Sequence, residues 1–350
     1  MTRIQVERPR TSLWQRALPP LAVAATVIGA LVLVIVAGHH DIAQSFGALG
    51  RGAFGSGYAF FSATLVRATP LTLLGLAVAL AFRAGVMNIG AEGQFLAGAS
   101  AASAVALAGV GSGTVLLVTI VAALIAGALW AAIAGWLKRR FGVLEVISTL
   151  MLNFVAQYLL SYLVRGPLQE PTHVYPQTES FPAAAHLPLL IPGQRLHLGY
   201  ALAVLLALAL WWMLRATAPG FRLRAVGAGA AAAASAGGVA VPRVMFTAFL
   251  LSGAIAGLAG GVEVTGVTYA LYEGISPGFG YTAIAVALLA RLDPLAVIGT
   301  GIFFGALEAG AAAMQRDAGV PFQFVAVVEA LVVLGVMALE WSRDRGAAQR

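Results

Sequence analysis

Long apolar runs separated by short polar segments dominate this chain. Ten of them reach or approach the roughly 20 residues that a helix needs to cross a hydrocarbon layer of about 30 Å. The runs lie near residues 19–37, 59–82, 86–109, 114–136, 143–164, 198–214, 244–269, 278–291, 294–314 and 321–340. This pattern predicts an all-α, polytopic membrane protein with about ten transmembrane helices.

The first run resembles a signal peptide, but it is longer than a usual apolar signal core. It also lacks a small-x-small cleavage site after Ala37. We therefore expect a retained anchor and divide the chain into an N-terminal cytoplasmic segment, a transmembrane domain and a cytoplasmic tail. These parts comprise residues 1–18, 19–340 and 341–350.

Composition and charge support this topology. The chain is 60% hydrophobic and only 10% charged, which no soluble domain of 350 residues matches. With the amino terminus inside, sixteen of the 21 basic residues fall in predicted inner segments, as the positive-inside rule requires. Both termini are then expected to be cytoplasmic. The net charge of +7 follows from this topology and gives no reason to expect nucleic-acid binding.

The residue inventory argues against chemistry on this chain. There are no cysteines, and the one lysine, Lys138, is followed by two arginines, whereas a phosphate-binding P-loop ends in Gly-Lys-Ser/Thr. No Ser–His–Asp or His-Glu-x-x-His arrangement occurs, so we predict no catalytic residue. His173, His186 and His197 match no metal-ligand spacing, and we expect solvated loop side chains.

A helix break at residues 83–94 is the most informative feature. The stretch reads Arg-Ala-Gly-Val-Met-Asn-Ile-Gly-Ala-Glu-Gly-Gln and lies between nearly uncharged runs. Polar side chains and irregular backbone are tolerated in a membrane only where protein or a water-filled cavity surrounds them. We therefore predict that Asn88, Glu92 and Gln94 shape a translocation pathway. A weaker counterpart, Gly274–Gly280, precedes the eighth run and suggests two inverted pseudo-repeats.

A second polar stripe lies on the fifth run. Glu145 and Asn153 are eight residues apart and share one helix face. Such a stripe either lines a pore or forms interhelical hydrogen bonds, the commoner outcome, and both residues are retained as pathway candidates. Glu263, Glu308 and Glu329 could serve as proton relays. The alternative is that these carboxylates cap helices or pair with Arg67 or Arg83. We prefer this alternative for Glu308 and Glu329.

Two loops are long enough to meet partners. The inner loop 215–243 contains arginines around an alanine run, which predicts a short helix over Ala230–Ala236 that ends at Gly237 and Gly238. Such a helix either docks a cytoplasmic partner or lies at the lipid interface. The outer loop 165–197 is rich in proline and either meets an external partner or caps the pore.

Five segments together resemble ABC-importer permeases of the simple-sugar and nucleoside uptake group, which are related to ribose and branched-chain amino acid permeases. The segments are Phe82–Gln94, Gly142–Asn153, Leu223–Gly227, Leu251–Gly260 and Ala283–Arg291. They occur in the family's order over most of the chain. One departure is that Gly229 and Ala230 stand where the family typically has Asn-Pro, and Ala236-Gly237-Gly238 where it has Ala-Gly-Ile.

The resemblance implies a vitamin B12-importer-like permease fold in a bacterial inner membrane. It also implies three protein partners besides membrane lipid: a second permease, usually a different chain, a cytoplasmic ATP-binding subunit and an external substrate-binding lipoprotein. ATP and Mg²⁺ would bind the ATP-binding subunit, and no cofactor would bind this chain. The inner loop then becomes a coupling segment, with Arg222, Arg224, Gly227, Ala236 and Gly237 as candidate contacts.

We therefore expect a permease that imports nucleosides or related ribosides by alternating access. The alternatives are a permease for ribose or another simple sugar, a proton-coupled carrier, and a membrane scaffold without transport.

Overall fold

The computed structural model describes residues 28–321 except 30, 34 and 110–112, together with positions 327, 330, 331, 334 and 335. The described positions between 28 and 37 are helical, and eleven further α-helices have assigned bounds within this part of the chain. They are α1 Ile42–Phe54, α2 Leu65–Arg83, α3 Ala91–Leu107, α4 Val115–Phe141, α5 Glu145–Arg165, α6 Leu198–Ala216, α7 Ala218–Ala228, α8 Ala230–Gly237, α9 Val241–Glu263, α10 Phe279–Leu289 and α11 Pro294–Ala318. One-turn π-helices, Ala59–Thr64 and Val264–Thr268, extend α2 and α9. Across the described residues no strand forms, and the only β-pairs are two isolated bridges.

Among the residues that the structure describes, six helical segments are long and apolar enough to cross a membrane. They are Ala59–Arg83, Val115–Phe141, Glu145–Arg165, Leu198–Ala216, Val241–Thr268 and Pro294–Ala318. These six confirm the second, fourth to seventh and ninth predicted runs. The first and tenth runs lie mostly outside the described residues, and so does Glu329.

The third and eighth predicted runs contain shorter helices than their apolar lengths suggest. Helix α3 begins only at Ala91 and has 17 residues, because residues 84–90 leave the helical path. Helix α10 has 11 residues and begins after the Gly274–Gly278 segment. Both helices therefore start inside the bundle rather than at one of its ends.

Helix α1 was not predicted from the apolar pattern. Asp41 caps its first turn by accepting a hydrogen bond from the Gln44 backbone amide at 2.6 Å. Its Ala48 packs with Ile35, Met314 and Val320 in a small cluster beside α11. Three glycines inside α1 lower the hydropathy of the segment, so a search for membrane-spanning runs does not find it.

Helix α2 forms the centre of the bundle, and α9 packs closely on α3 and α4. The small-residue run in α9, Ser252–Gly261, allows this approach because a side chain at Gly257 would overlap backbone atoms of α4. Small residues in this run therefore permit close helix packing, as is typical of membrane helices.

Contacts between distant loops define two ends of the bundle. At the arginine end, Arg83 Nε donates to the Leu292 carbonyl at 3.1 Å, and Arg215 pairs with Asp293 at 3.3 Å. At the loop end, residues 166–197 cover the segment after α9, where the Thr178 and Phe181 amides donate to the carbonyls of Leu271 and Tyr269 at 2.8 Å. Within the described residues, the loops predicted to lie inside therefore collect at one end, and those predicted outside at the other.

Candidate functional site

The two interrupted helices begin against each other in the middle of the bundle. The Glu92 carboxylate, in the first turn of α3, accepts a hydrogen bond from the Gly280 amide in the first turn of α10 at 2.7 Å. The Phe95 and Phe279 rings meet edge to face one turn further along α3, with centroids 6.0 Å apart. The two glycine-rich breaks recognised in the sequence are thus brought together.

Side chains supply partners for amide groups that these helix starts leave without an intrahelical acceptor. Glu92 satisfies Gly280, and the Ser276 hydroxyl accepts from the amides of Gly278 and Phe279 at 3.1 and 3.0 Å. The Ser276 hydroxyl also interacts with the Glu92 carboxylate. Because the first N–H groups of a helix have no intrahelical partner, a helix that starts among apolar side chains needs such acceptors.

Asn153 of α5 serves the start of α3 in the same way. Its Oδ1 accepts from the Gly93 amide at 2.9 Å, while its Nδ2 donates to the Ile89 carbonyl at 3.0 Å and the Tyr281 hydroxyl at 3.2 Å. One amide side chain therefore contacts both sides of the break and the first turn of α10. This arrangement is the interhelical bonding that the polar stripe on α5 predicted.

Asn88 and Gln94 form a reciprocal amide pair that closes the break from the other side. Asn88 Nδ2 donates to Gln94 Oε1 at 2.9 Å, and Gln94 Nε2 donates to Asn88 Oδ1 at 3.0 Å. Asn88 also donates to the Ser252 hydroxyl at 2.9 Å, which in turn donates to the Ala77 carbonyl at 2.7 Å. Both amide side chains are fully buried, so they hold the backbone and do not line a cavity.

A cavity of about 270 Å³ extends from Glu92 to Glu273, near the loop end. Its polar lining consists of Glu92, Asn153, Gln157, Ser161, Glu273 and Ser276, and its aromatic lining of Tyr158 and Tyr281. Tyr158 is 74% exposed and Tyr281 42% exposed, so the cavity opens on the surface of this chain. The lining offers hydrogen-bond acceptors and two aromatic faces to a polar solute.

Glu145 is not among the residues that line this cavity. Its carboxylate lies 2.6 Å from the Lys138 ammonium at the arginine end, about 12 Å along α5 from Asn153 at 1.5 Å per residue. The pair joins the last turn of α4 to the first turn of α5 across the three-residue connection between them. Of the five predicted pathway residues, Glu92 and Asn153 line the cavity, Asn88 and Gln94 support it, and Glu145 lies apart.

The other buried charges lie away from the cavity. The Arg67 guanidinium in α2 interacts electrostatically with Glu308 of α11 and Glu263 of α9. Both carboxylates are buried, and the position of Glu308 agrees with the preferred alternative, in which it caps a helix or pairs with Arg67 or Arg83.

The expectation of solvated histidines is wrong for His197. This side chain is fully buried and caps α6, with Nδ1 accepting from the Gly199 amide at 3.2 Å. His186 stacks on Tyr269 with ring centroids 4.0 Å apart. The outer loop folds back on the end of α9, and this tertiary contact places both rings against protein. Across the described residues, no group of three or more His, Asp or Glu side chains is arranged to hold a metal ion.

The inner loop forms two helices, α7 and α8, and α7 touches the root of the helix break. A side chain at Gly227 would overlap the Arg83 carbonyl oxygen, and Gly85 lies beside the same glycine. The predicted alanine helix is confirmed as α8, which includes Ala236 and Gly237 and ends at Gly238 with φ +59°. Arg222 and Arg224 of α7 are both exposed.

The sequence analysis singled out no side chain among seven residues of this site: Gln157, Tyr158, Ser161, Ser252, Glu273, Ser276 and Tyr281. Ser252 is the one hydroxyl in a run of glycine, alanine, leucine and isoleucine. The others carry no spacing signal, because they reach the site from α5, from α10 and from the segment that precedes α10.

Comparison with known proteins finds transport permeases. A family model described as "Branched-chain amino acid transport system / permease component" matches residues 60–339. A glucose ABC transporter permease protein from Haloferax volcanii is 40% identical over 79% of this chain and 76% of its own. The guanosine ABC transporter permease protein NupP from Bacillus subtilis is 37% identical over 91% of this chain and 92% of its own. A second guanosine permease protein of that organism, NupQ, is 29% identical over 69% of this chain and 78% of its own. No solved structure matches.

Proposed function

Because this chain belongs to the branched-chain amino acid transport system permease family and is the permease of an ABC importer, we propose that it imports a nucleoside or a related riboside. The observation that carries this choice is the 37% identity with the guanosine permease, which extends over 91% of this chain. The second candidate is a simple sugar, favoured by the 40% identity with the glucose permease over a shorter part of the chain.

The cavity at the two helix starts supports a pathway for such solutes. Carboxylate and amide oxygens of Glu92, Glu273 and Gln157 can accept hydrogen bonds from ribose hydroxyls, and tyrosine rings can stack on a base. The solute would pass by alternating access, without covalent chemistry and without a cofactor on this chain. Asn88, Gln94 and Asn153 would keep the break open by holding its backbone. We still predict that Glu145 contributes to the pathway, from its position beside Lys138 at the arginine end.

A second permease would complete the pathway. The cavity opens on the surface of this chain, so another subunit is needed to enclose a solute there. Bacillus subtilis has two guanosine permease proteins, and this chain is more similar to one of them than to the other. We infer that the partner permease is a different chain.

The remaining partners would bind at opposite ends of the bundle. A cytoplasmic ATP-binding subunit, which would carry ATP and Mg²⁺, would contact α7 and α8 through Arg222, Arg224, Gly227, Ala236 and Gly237. An external substrate-binding lipoprotein would deliver the solute at the loop end. This arrangement assumes a vitamin B12-importer-like fold of about ten spans in a bacterial inner membrane, with both termini cytoplasmic.

Uptake measurements test the proposal. Cells with and without this gene would be supplied with radiolabelled guanosine, ribose or glucose, while ATP and the proton gradient are depleted separately. We expect guanosine uptake to require the gene and to follow ATP. If only the uptake of a sugar depends on the gene, the imported solute is that sugar and not a nucleoside. Uptake that follows the proton gradient would contradict the ATP-driven mechanism.

A further inference from the structure

A groove separate from the proposed pathway opens at the arginine end, between α6, α7, the end of α8 and α9. It includes Arg222 and Gly237, two of the residues proposed to contact the ATP-binding subunit. It encloses about 490 Å³, and its lining includes Met213 from α6, Arg222 and Leu223 from α7, and Arg243, Val244 and Leu251 from α9. The groove therefore combines an apolar wall with two cationic side chains.

The apolar part of the groove runs along a membrane-spanning helix. Ala240, Val244, Thr247 and Leu251 lie on one face of α9 and its cap, and all four line the groove. At 1.5 Å per residue, this face extends about 16 Å from the end of the bundle. Leu251, at its far end, is 42% exposed, so the groove continues onto the outer surface of the spanning helix.

The two arginines at the mouth of the groove have no counter-charge among the described residues. Within the part of the chain that the structure describes, neither Arg222 nor Arg243 makes an ion pair or a side-chain hydrogen bond. Arg215, close by in sequence, differs because it pairs with Asp293 and lies over the Trp211 ring. A groove with unpaired guanidinium groups at one end is complementary to a ligand with an anionic head.

We propose that this groove binds an anionic phospholipid. The headgroup phosphate would lie between Arg222 and Arg243, and one acyl chain would follow α9 toward Leu251. Basic pockets between membrane helices on the cytoplasmic side are suited to anionic headgroups, and arginine binds phosphate oxygens in pairs. A free phosphate would leave the apolar wall exposed to water, and a protein docked at the end of the bundle would not fill a groove that extends up a spanning helix.

The direct test is lipid binding by the full chain, purified in detergent and stripped of lipid. Phosphatidylglycerol and phosphatidylcholine with equal acyl chains would be titrated and counted by native mass spectrometry. We expect selective binding of phosphatidylglycerol, reduced about fivefold by R222Q or R243Q and about 30-fold by both, the change that about 1 kcal/mol per arginine gives. R140Q is the matched control, because Arg140 is an exposed arginine outside the groove.

A second variant tests the acyl part of the site. Thr247 is exposed in the middle of the groove, so T247W should block the acyl chain with little effect on folding, and should weaken binding of phosphatidylglycerol. Equal binding of both lipids, wild-type binding by the double arginine variant, or full competition by inorganic phosphate would overturn the proposal. These readouts use no transport and no ATP-binding subunit, so they stand or fall independently of the imported solute.

Discussion

At the residue scale, a few polar side chains stabilise two helix starts inside an apolar bundle. Glu92, Asn153 and Ser276 accept hydrogen bonds from backbone amides that would otherwise have no partner at these helix starts. The cost of leaving one such buried group without a partner is about 1–3 kcal/mol. The same groups that make the break possible are therefore also the groups that line the cavity.

Glu92 both accepts a hydrogen bond from the Gly280 amide and lines the cavity, and two substitutions distinguish these roles. E92A removes the acceptor for the Gly280 amide and should abolish guanosine uptake while membrane insertion remains normal. E92Q keeps an oxygen acceptor for the Gly280 amide, so it should retain at least about fivefold more uptake than E92A, because leaving that amide without an acceptor costs about 1–3 kcal/mol.

Uptake in these variants would be normalised to the amount of chain in the membrane. The control is E179Q, since Glu179 is an exposed carboxylate in the outer loop. Transport by E92A at the wild-type rate would show that Glu92 has no part in the pathway.

The buried His197 predicts a pH dependence of stability. Burial, and to a smaller extent the positive charge of Arg195, lowers the pKa of His197 from 6.5 to about 4. The folded state therefore favours the neutral ring, whereas the unfolded chain takes up a proton near pH 6.5. The contribution to stability is complete above pH 6.5 and is lost as the pH falls to about 4, with a total near 3 kcal/mol.

Thermal unfolding in detergent between pH 7 and 4 measures this effect. H197N is the matched variant, because asparagine can cap α6 but does not titrate. We expect its melting temperature to vary less with pH than that of the wild type. Identical pH profiles would rule out His197 as the source of the dependence.

At the element scale, α7 connects the expected ATPase surface to the helix break. Gly227 packs directly on the backbone at Arg83 and Gly85, and residues 84–90 lead from there to α3, which carries Glu92. A displacement of α7 would thus act on the segment that ends at the cavity.

G227A should therefore separate ATP hydrolysis from transport. The added methyl group overlaps the Arg83 carbonyl oxygen and moves α7 off the break. Overpacking of this kind costs about 1–3 kcal/mol, so we expect uptake per ATP hydrolysed to fall at least about fivefold. The matched control is G229A, two residues away, where an added methyl group would make only an ordinary contact with Ala232 at 3.7 Å and φ is −179°. Equal coupling ratios in both variants would contradict this role for Gly227.

At the scale of the whole molecule, the separation of the two ends predicts orientation. The wild-type chain has no cysteine, so single cysteines can be labelled without background. E179C, at the loop end, should react with a membrane-impermeant maleimide in intact cells. A234C, in α8 at the arginine end, should react only after the membrane is permeabilised. The reverse pattern would invert the proposed topology.

The pattern of spans was predictable because hydrocarbon selects each segment by its own composition. Six predicted spans are confirmed, and α8 ends at the glycine pair that the sequence indicated. Helix α1 was missed because it is too short and too rich in glycine to resemble a span. The burial of His197 was also missed, because it depends on how the outer loop folds on α9.

The sequence by itself determined where helices break, which polar residues accompany the breaks and which end carries the arginines, since these are local properties of composition. Only the tertiary structure decided that Glu92 would meet Gly280, 188 residues away, that Ser252 would complete the amide network, and that Glu145 would pair with Lys138. A buried polar group must find a partner, but its choice depends on which distant elements pack beside it.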